Sequence, residues 1–305
     1  MSMKFPFLRF PKMFYIEPTN DCNLSCIMCP RKTSRKAVGY MSFDLFRDVV
    51  DQLTEQKIIQ LSLHLIGEPL LHPRIAEMVR YAKGKGLQHV RFATNATLLN
   101  DDVSSDLIEA GLDSLTISMD TSTAKYYCPG TRWEELFAGL DHNVRQLITL
   151  RNRRGSKTPE VHMQIIHMSQ TRRLIDEFVK KWQGFTDRVT VQPLLSWAGH
   201  IKVPKKVRRR LACINHLTQG VVQWDGDVSF CCLYIDSRGD SAGLIGNAAH
   251  SSLEDIFLGA RRREIIEAQL RGNYEAVPSC KECPDWNDFL DLIQTDKKPS
   301  TGVAV

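Results

Sequence analysis

The stretch Met13-Phe14-Tyr15-Ile16-Glu17-Pro18-Thr19-Asn20-Asp21-Cys22-Asn23-Leu24-Ser25-Cys26-Ile27-Met28-Cys29-Pro30 joins a short apolar run to three cysteines in the spacing CxxxCxxC. Thiolates this close, just after a strand, can all reach one iron–sulfur cluster, yet they supply only three of the four ligands that a cubane needs. One iron is left open to bind a substrate or cofactor. The competing reading is a zinc knot. Zinc sites usually show paired CxxC units and a fourth nearby ligand, and no further His or Cys lies close enough in sequence to complete one.

Outward from this loop, short apolar runs alternate with helical patterns as far as Leu195. Strands are expected at Met13–Glu17, Ile58–Leu65, His89–Ala93, Ser114–Met119, Val161–His167 and Arg188–Leu194, all rich in Val, Ile and Leu and bounded by turn residues. Helices are expected at Ser42–Glu55 with Ser42 as N-cap, Pro73–Lys83, Asp101–Ala110, Trp133–Arg151 and Arg172–Gln183. Such serial β/α units predict an α/β fold with a parallel sheet and right-handed crossovers. Eight units would close a barrel, and six fall short of that. Chemistry in parallel β/α architectures sits at the C-terminal strand ends, where the cysteine loop leaves the first strand.

After Trp197-Ala198-Gly199 the pattern changes. A basic segment leads to Cys213, then to the alternating stretch Gly220 to Cys232, in which Asp225-Gly226 signals a hairpin turn. A helix is expected at Leu253–Leu270, followed by Cys280-Lys281-Glu282-Cys283. The expected division is residues 1–198, residues 199–294 and a loose tail at 295–305.

The cysteine spacing and its setting resemble the radical S-adenosylmethionine (SAM) enzymes. The resemblance implies a partial (β/α)6 TIM-like barrel over residues 1–198, whose open iron chelates the amino and carboxylate groups of SAM. It further implies SAM contacts at Gly67-Glu68-Pro69, similar to the family's GGE motif with Ile66 in place of its first Gly, with the Glu68 carboxylate and local backbone meeting the SAM ammonium. Thr94-Asn95 and Ser118-Met119-Asp120 look like the polar contacts to ribose and carboxylate, and Met28 would pack on the adenine. Taken singly, a Gly-Glu-Pro is usually a turn, and Asn95 or Asp120 a helix N-cap.

Cys213, Cys231, Cys280 and Cys283 resemble the ligands of the C-terminal SPASM domain, or of its shorter twitch form, a small β-hairpin-plus-helix unit holding an auxiliary cluster. Only six cysteines follow Cys29, which suits one fully ligated auxiliary cluster. The implied cofactors are two 4Fe-4S clusters, one SAM-binding and one auxiliary, and SAM itself. A four-cysteine zinc site is the alternative for the second group, because Cys280-x-x-Cys283 is also a zinc half-site. Cys232 directly follows a proposed ligand, so strand alternation would turn it to the opposite face, toward the active site. Cys128, in Tyr127-Cys128-Pro129-Gly130, stands where many members carry Arg-Pro-Gly. For either residue the alternative is a buried, inert thiol.

The resemblance implies reductive cleavage of SAM to methionine and a 5′-deoxyadenosyl radical, which takes a hydrogen from an unactivated carbon inside a water-excluding barrel. Loss of an electron to the auxiliary cluster would then oxidise the substrate, as in dehydrogenases of amino-cyclitol alcohols. Delivery of a thiol hydrogen to the opposite face would invert the carbon, as in epimerases of aminoglycoside-type carbohydrates. Cys232 favours epimerisation. Many SPASM maturases of ribosomal peptides begin with a peptide-recognition domain, whereas here the first strand starts at Met13, so a small carbohydrate-like substrate is expected. His64, Glu17, His162, Gln164, His167 and Trp197 lie at or near strand ends and are candidates to line the pocket. An external electron donor such as flavodoxin or ferredoxin is implied.

Composition limits the remaining classes. The formal charge of +5 is mild, and its basic runs, Arg151 to Lys157 and Lys202 to Arg210, come without an aromatic-rich nucleic-acid module, so no nucleic-acid partner is expected. The first residues lack a signal-peptide pattern and no run approaches the roughly 20 apolar residues of a membrane span. With a mean hydropathy of −0.25, the expectation is a cytoplasmic protein with metal-binding rather than disulfide-bonded cysteines.

Overall fold

A computed structural model describes residues 9–129, 138–203, 210, 212–236, 241–281 and 283–287. The strands are β1 (Met13–Ile16), β2 (Gln60–Ser62), β3 (Val90–Thr94), β4 (Ser114–Ile117), β5 (Glu160–His167), β6 (Arg188–Pro193), β7 (Gln219–Val222), β8 (Asp227–Ser229) and β9 (Leu244–Asn247). They form one nine-stranded sheet in the order β6-β5-β4-β3-β2-β1-β7-β8-β9. All pairings from β6 through β1 to β7 are parallel, and β7-β8-β9 are antiparallel. The six expected strands are therefore present in the expected order. The sheet continues past residue 198, because β7 pairs directly with β1.

The helices are α1 (Phe43–Glu55), α2 (Ile75–Gly84), α3 (Asp101–Glu109), α4 (Thr121–Tyr127), α5 (Leu140–Arg153), α6 (Ile175–Trp182), α7 (Asn215–Thr218), α8 (Leu253–Leu258), α9 (Ala260–Leu270) and α10 (Pro278–Lys281). Ser42 caps α1 by accepting from the Leu45 amide at 3.2 Å, as its sequence position predicts. The expected single helix Leu253–Leu270 is divided at Gly259, which leaves helical geometry with ψ 172°. Helix α4 is an addition to the sequence reading, and the expected helix start at Trp133, like the tail 295–305, lies outside the described residues.

Side chains alternate along the strands, so each strand offers one face to the helices and one to the barrel lumen. Phe14, Ile16, Leu61, Leu63, Val90, Phe92, Leu115, Ile117, Val161, Met163 and Ile165 are buried in one continuous apolar core. At about 25 cal/mol per Å² of apolar surface, this layer is the main force holding sheet to helices. Phe10, Phe14 and Phe257 stack within it, with ring centroids 5.2–5.5 Å apart, and so α8 packs on the back of β1. The opposite face is polar: Tyr15, Ser62, Arg91 and Ser114 pair in register across β1 to β4. Thr116 and His162 continue the same face into β5. The β7-β8 hairpin turns at Asp225-Gly226, where φ of Gly226 is +90°, a value that disfavours any side chain.

Candidate active site and cluster sites

The loop after β1 carries Cys22, Cys26 and Cys29, and several side chains fix its path. Asp21 Oδ1 accepts from the Cys22 amide at 2.8 Å and Asp21 Oδ2 from the Tyr40 hydroxyl at 3.0 Å. Arg31 donates to the carbonyls of Cys22 and Leu24 at 3.3 and 3.2 Å. The Cys29 amide closes a turn on the Cys26 carbonyl at 3.1 Å, and the Ile27 amide reaches the Tyr127 carbonyl at the end of α4 at 2.8 Å. Burial pushes the Cys22 thiol up to about 11 and raises Cys29 as well.

Gly67 lies against this loop. A Cβ at Gly67 would stand 1.9 Å from the Thr19 carbonyl oxygen and 2.8 Å from that of Asp21, so only glycine fits. The next amide, of Glu68, donates to the Asp21 carbonyl at 2.7 Å. The Glu68 carboxylate is held in place: its Oε1 accepts from the Thr94 hydroxyl at 2.6 Å and the Leu70 amide at 3.1 Å, and its Oε2 accepts from the Asn95 amide at 2.8 Å. Glu68 thus braces the end of β2 to the end of β3, and its charge raises the nearby Cys22 thiol. Burial raises the Glu68 carboxyl against the pull of these three bonds.

Asn95 donates to Asn23 Oδ1 at 2.9 Å and stands 4.0 Å from Cys22 Sγ, which places it at the three-cysteine loop. Ser118 turns back on the Thr94 carbonyl at 3.0 Å. Pro69 and Met28 are buried, Met28 within the apolar core. Asp120 takes the N-cap position that its sequence also offers: its Oδ1 caps α4 by accepting from the Thr123 amide at 3.0 Å and from Ser122 at 2.7 Å, while Oδ2 accepts from Trp182 Nε1 at 2.9 Å and Lys181 Nζ at 3.1 Å. It is fully buried and braces α4 against Trp182 and Lys181.

Sequence reasoning separated Cys128 from the cysteine loop by a hundred residues, but its Sγ lies 3.2 Å from that of Cys26. The neighbouring Cys128 and burial together raise the Cys26 thiol, and the same contact lowers Cys128. No local sequence signal marks the contact, which depends on α4.

Cys213, Cys231, Cys280 and Cys283 come from four separate backbone positions and line one cavity of about 380 Å³, with His216, Arg210, Asp285 and Trp286. Burial raises all four thiols, Cys213 and Cys283 to about 12; for Cys231 the adjacent Cys232 thiol is the larger cause. Among the described residues no three His, Cys, Asp or Glu side chains are gathered around a single ion position. Tetrahedral zinc would hold its sulfurs about 3.8 Å apart. The wall is reinforced by Asp285, which accepts from the Ser196 amide and hydroxyl at 3.0 and 2.6 Å, and by Arg210, which donates to the carbonyls of Cys280 and Lys281. His216 Nε2 lies 3.9 Å from Cys280 Sγ, and burial pushes its imidazole down to about 3, so it is neutral.

Residues 16–168 match the Radical SAM superfamily, half of the chain. The chain belongs to the radical SAM superfamily. Residues 213–284 match SPASM, an iron–sulfur cluster-binding domain, and span all four cavity cysteines. The radical SAM domain implies a 4Fe-4S cluster and SAM, and the SPASM domain implies auxiliary iron–sulfur. The chain is 25% identical to the tungsten-containing aldehyde ferredoxin oxidoreductase cofactor-modifying protein of Pyrococcus furiosus, over 93% of this chain and 90% of that one. Its fold is similar to that of BtrN, solved in complex with AdoMet and 2-DOIA, with a TM-score of 0.61 at 17% identity over 90% of this chain and 94% of that one. It is also similar to Streptococcus suis SuiB bound to the precursor peptide SuiA, with a TM-score of 0.64 at 16% identity over 82% of this chain and 65% of that one.

In this radical SAM enzyme the structure corrects the reason for singling out Cys232. Strand β8 ends at Ser229, so Cys231 and Cys232 occupy a turn where alternation does not apply. The two are consecutive, buried residues, and Cys231 Sγ accepts from the Leu233 amide at 3.4 Å. Cys232 is buried beside Cys231, and the Tyr15 phenol on β1 is raised chiefly by burial and further by the nearby Cys232. Of the other pocket candidates, His64 packs edge-on to Tyr15 at 5.6 Å, and burial beside Arg91 pushes its imidazole down to about 3. His162 pairs with Glu160 at 3.3 Å, and His167 is exposed. No helix among the described residues is long and apolar enough to cross a membrane.

Proposed function

We propose that this radical SAM enzyme takes a hydrogen from a carbon of a small carbohydrate-type substrate in the barrel lumen and epimerises that carbon, with Cys232 as the hydrogen donor. Cys22, Cys26 and Cys29 would hold the SAM-binding cluster, and Cys213, Cys231, Cys280 and Cys283 the auxiliary one. When bound, the first cluster and SAM supply the 5′-deoxyadenosyl radical, with an electron from an external donor such as flavodoxin or ferredoxin. The chain supports this chemistry with a loop braced by Gly67, Glu68, Asn95 and Arg31, and with a polar lumen walled by a continuous core that excludes water.

The observation that supports the epimerase reading is the position of Cys232, a buried thiol next in sequence to Cys231 on the wall of the four-cysteine cavity and close enough to raise the Tyr15 phenol of β1. A donor there would deliver the S–H hydrogen atom to the face of the carbon opposite to abstraction, leaving a thiyl radical that a second electron from the external donor and a proton from water return to the thiol. Cys128, whose Sγ lies 3.2 Å from that of Cys26 at the three-cysteine loop, is the second candidate donor.

A thiol hydrogen exchanges with water, so turnover in heavy water is expected to place one deuterium on the inverted carbon, and Cys232→Ala to abolish inversion while SAM cleavage continues. An oxidised product without carbon-bound deuterium from the wild type would identify a dehydrogenase of a secondary alcohol instead. Loss of inversion in Cys128→Ala but not in Cys232→Ala would transfer the donor role.

A further inference from the structure

His216 lies on α7 beside the four-cysteine cavity, and only 2% of it is exposed. Its Nε2 stands 3.9 Å from the Sγ of Cys280 on α10. The other ring nitrogen, Nδ1, is buried without a hydrogen-bond partner. A neutral imidazole carries its proton on one nitrogen only. With the proton on Nδ1, that N–H would be buried unbonded and a bare Nε2 would face the sulfur. With the proton on Nε2, the sulfur accepts it and only the Nδ1 lone pair is left over, so the surroundings select the Nε2–H form.

The ring is held in that orientation. Phe230 packs against it edge-on, with centroids 4.6 Å apart and an interplanar angle of 88°. The buried guanidinium of Arg262 donates to the His216 carbonyl through Nη2 at 2.8 Å and Nε at 3.3 Å, and to the Phe257 carbonyl through Nη1 at 2.8 Å, which ties α7 to α8. The charged groups of the cavity wall are committed elsewhere. Arg210 donates to the carbonyls of Cys280 and Lys281. Asp285, whose Oδ2 lies 4.0 Å from Cys283 Sγ, accepts from the Ser196 amide and hydroxyl and from the Ala198 amide.

We infer that His216 donates Nε2–H to the Cys280 sulfur and thereby raises the reduction potential of the cluster that this sulfur ligates. The inference rests on the reading of Cys213, Cys231, Cys280 and Cys283 as auxiliary-cluster ligands. It goes beyond that reading by giving a side chain outside the ligand set control over how readily the cluster takes up an electron. One-electron reduction adds a negative charge that the ligand sulfurs share, so a donor on a sulfur stabilises the reduced form more than the oxidised one. His216 leaves the ligand set unchanged and acts through Cys280, as a positioning residue.

The test uses the full chain with Cys22, Cys26 and Cys29 replaced by Ala, reconstituted anaerobically, so that the auxiliary cluster is observed alone. An EPR-monitored redox titration gives its midpoint potential, and pulsed EPR on protein carrying a heavy nitrogen isotope in the histidine rings gives the nitrogen couplings. A weak ring-nitrogen coupling is expected in this parent. His216→Phe is expected to remove it and to lower the equilibrium constant for reduction at least about tenfold, which is about 59 mV for one electron. His216→Gln, which keeps an N–H donor, is expected to stay closer to the parent than His216→Phe does. The inference is overturned if the parent shows no ring-nitrogen coupling, if His216→Phe leaves the midpoint unchanged, or if His216→Gln falls as far as His216→Phe. A strong coupling would make a histidine a ligand in its own right and would also overturn it. The labelled parent decides the matter even where the variants fail to retain iron. Zinc without sulfide in the parent would overturn the cluster assignment and the inference with it, whereas an iron–sulfur cluster without the coupling overturns the inference alone.

Discussion

Glu68 and Glu17 are both buried carboxyls near strand ends, and their surroundings set them apart. Glu68 has three donors and holds two strand ends together. Glu68→Ala would leave two amides and a hydroxyl without their acceptor, each costing about 1–3 kcal/mol when buried. The expected result is weaker SAM binding accompanied by lower iron retention, whereas loss of a direct ligand contact would leave iron content unchanged; iron assay and SAM equilibrium binding on one preparation distinguish the two. Glu17 is raised to about 7, first by desolvation and further by Asp225, against the pull of backbone hydrogen bonds at Trp224 and Ile66 and of Lys36. Because the folded carboxyl holds its proton more tightly than the unfolded one, its contribution to stability is complete below about pH 4.5 and falls as pH rises toward 7. The loss approaches about 3 kcal/mol at 1.36 kcal/mol per pH unit. Urea midpoints at pH 5 and pH 8 should therefore differ less in Glu17→Gln than in the wild type. Equal differences would contradict the assignment. Neither setting was legible in the sequence, which shows a glutamate at a strand end but not what its oxygens meet.

At the scale of elements, the parallel strands were legible because apolar runs bounded by turn residues recur at β1, β3, β4 and β5. Where the local signals conflicted, the reading was less accurate. Ile58 and Ile59 suggest strand, yet Lys57 adopts φ 52° and Ile59 is 55% exposed, so β2 begins only at Gln60. Helix α4 is short and polar at its start, and its cap is the residue that the SAM-contact pattern claims. Asp120→Ala removes that cap and the acceptor of Trp182 and Lys181 together. A loss of about 2–4 kcal/mol is expected from these terms. Chemical denaturation would check it, and a loss below about 0.5 kcal/mol, the ordinary surface value, would refute the bracing role. Cysteine spacing gave the three-cysteine loop directly, because its ligands are local. The four-cysteine cavity was legible only through resemblance, because it gathers residues that lie up to seventy positions apart, Cys213 to Cys283.

Across the whole molecule, the C-terminal region is part of the barrel sheet rather than an appendage. β7 covers the edge of β1, and Phe257 closes the apolar face behind it. A chain truncated after residue 198 is expected to aggregate, because it would present an unpaired β1 edge and an uncovered Phe10–Phe14 surface. A soluble, folded truncated protein by size exclusion and circular dichroism would contradict this. The two cysteine groups are expected to load separately in the full chain. Replacing Cys22, Cys26 and Cys29 with Ala should remove about half of the iron and all SAM cleavage, leaving one four-iron cluster. Stoichiometric zinc without sulfide would sink the cluster assignment for both groups.

The pairing of β1 with β7 also sets an order in time. The two strands lie about 200 residues apart in sequence, and at roughly 5–20 residues per second a ribosome takes on the order of 10–40 s to make the intervening chain. For most of that interval the loop bearing Cys22, Cys26 and Cys29 has been made, while Cys231, Cys280 and Cys283, all beyond β7, have not. Iron delivered during synthesis therefore meets a complete three-thiol site first. The four-thiol site can be filled only after residue 283 has left the ribosome.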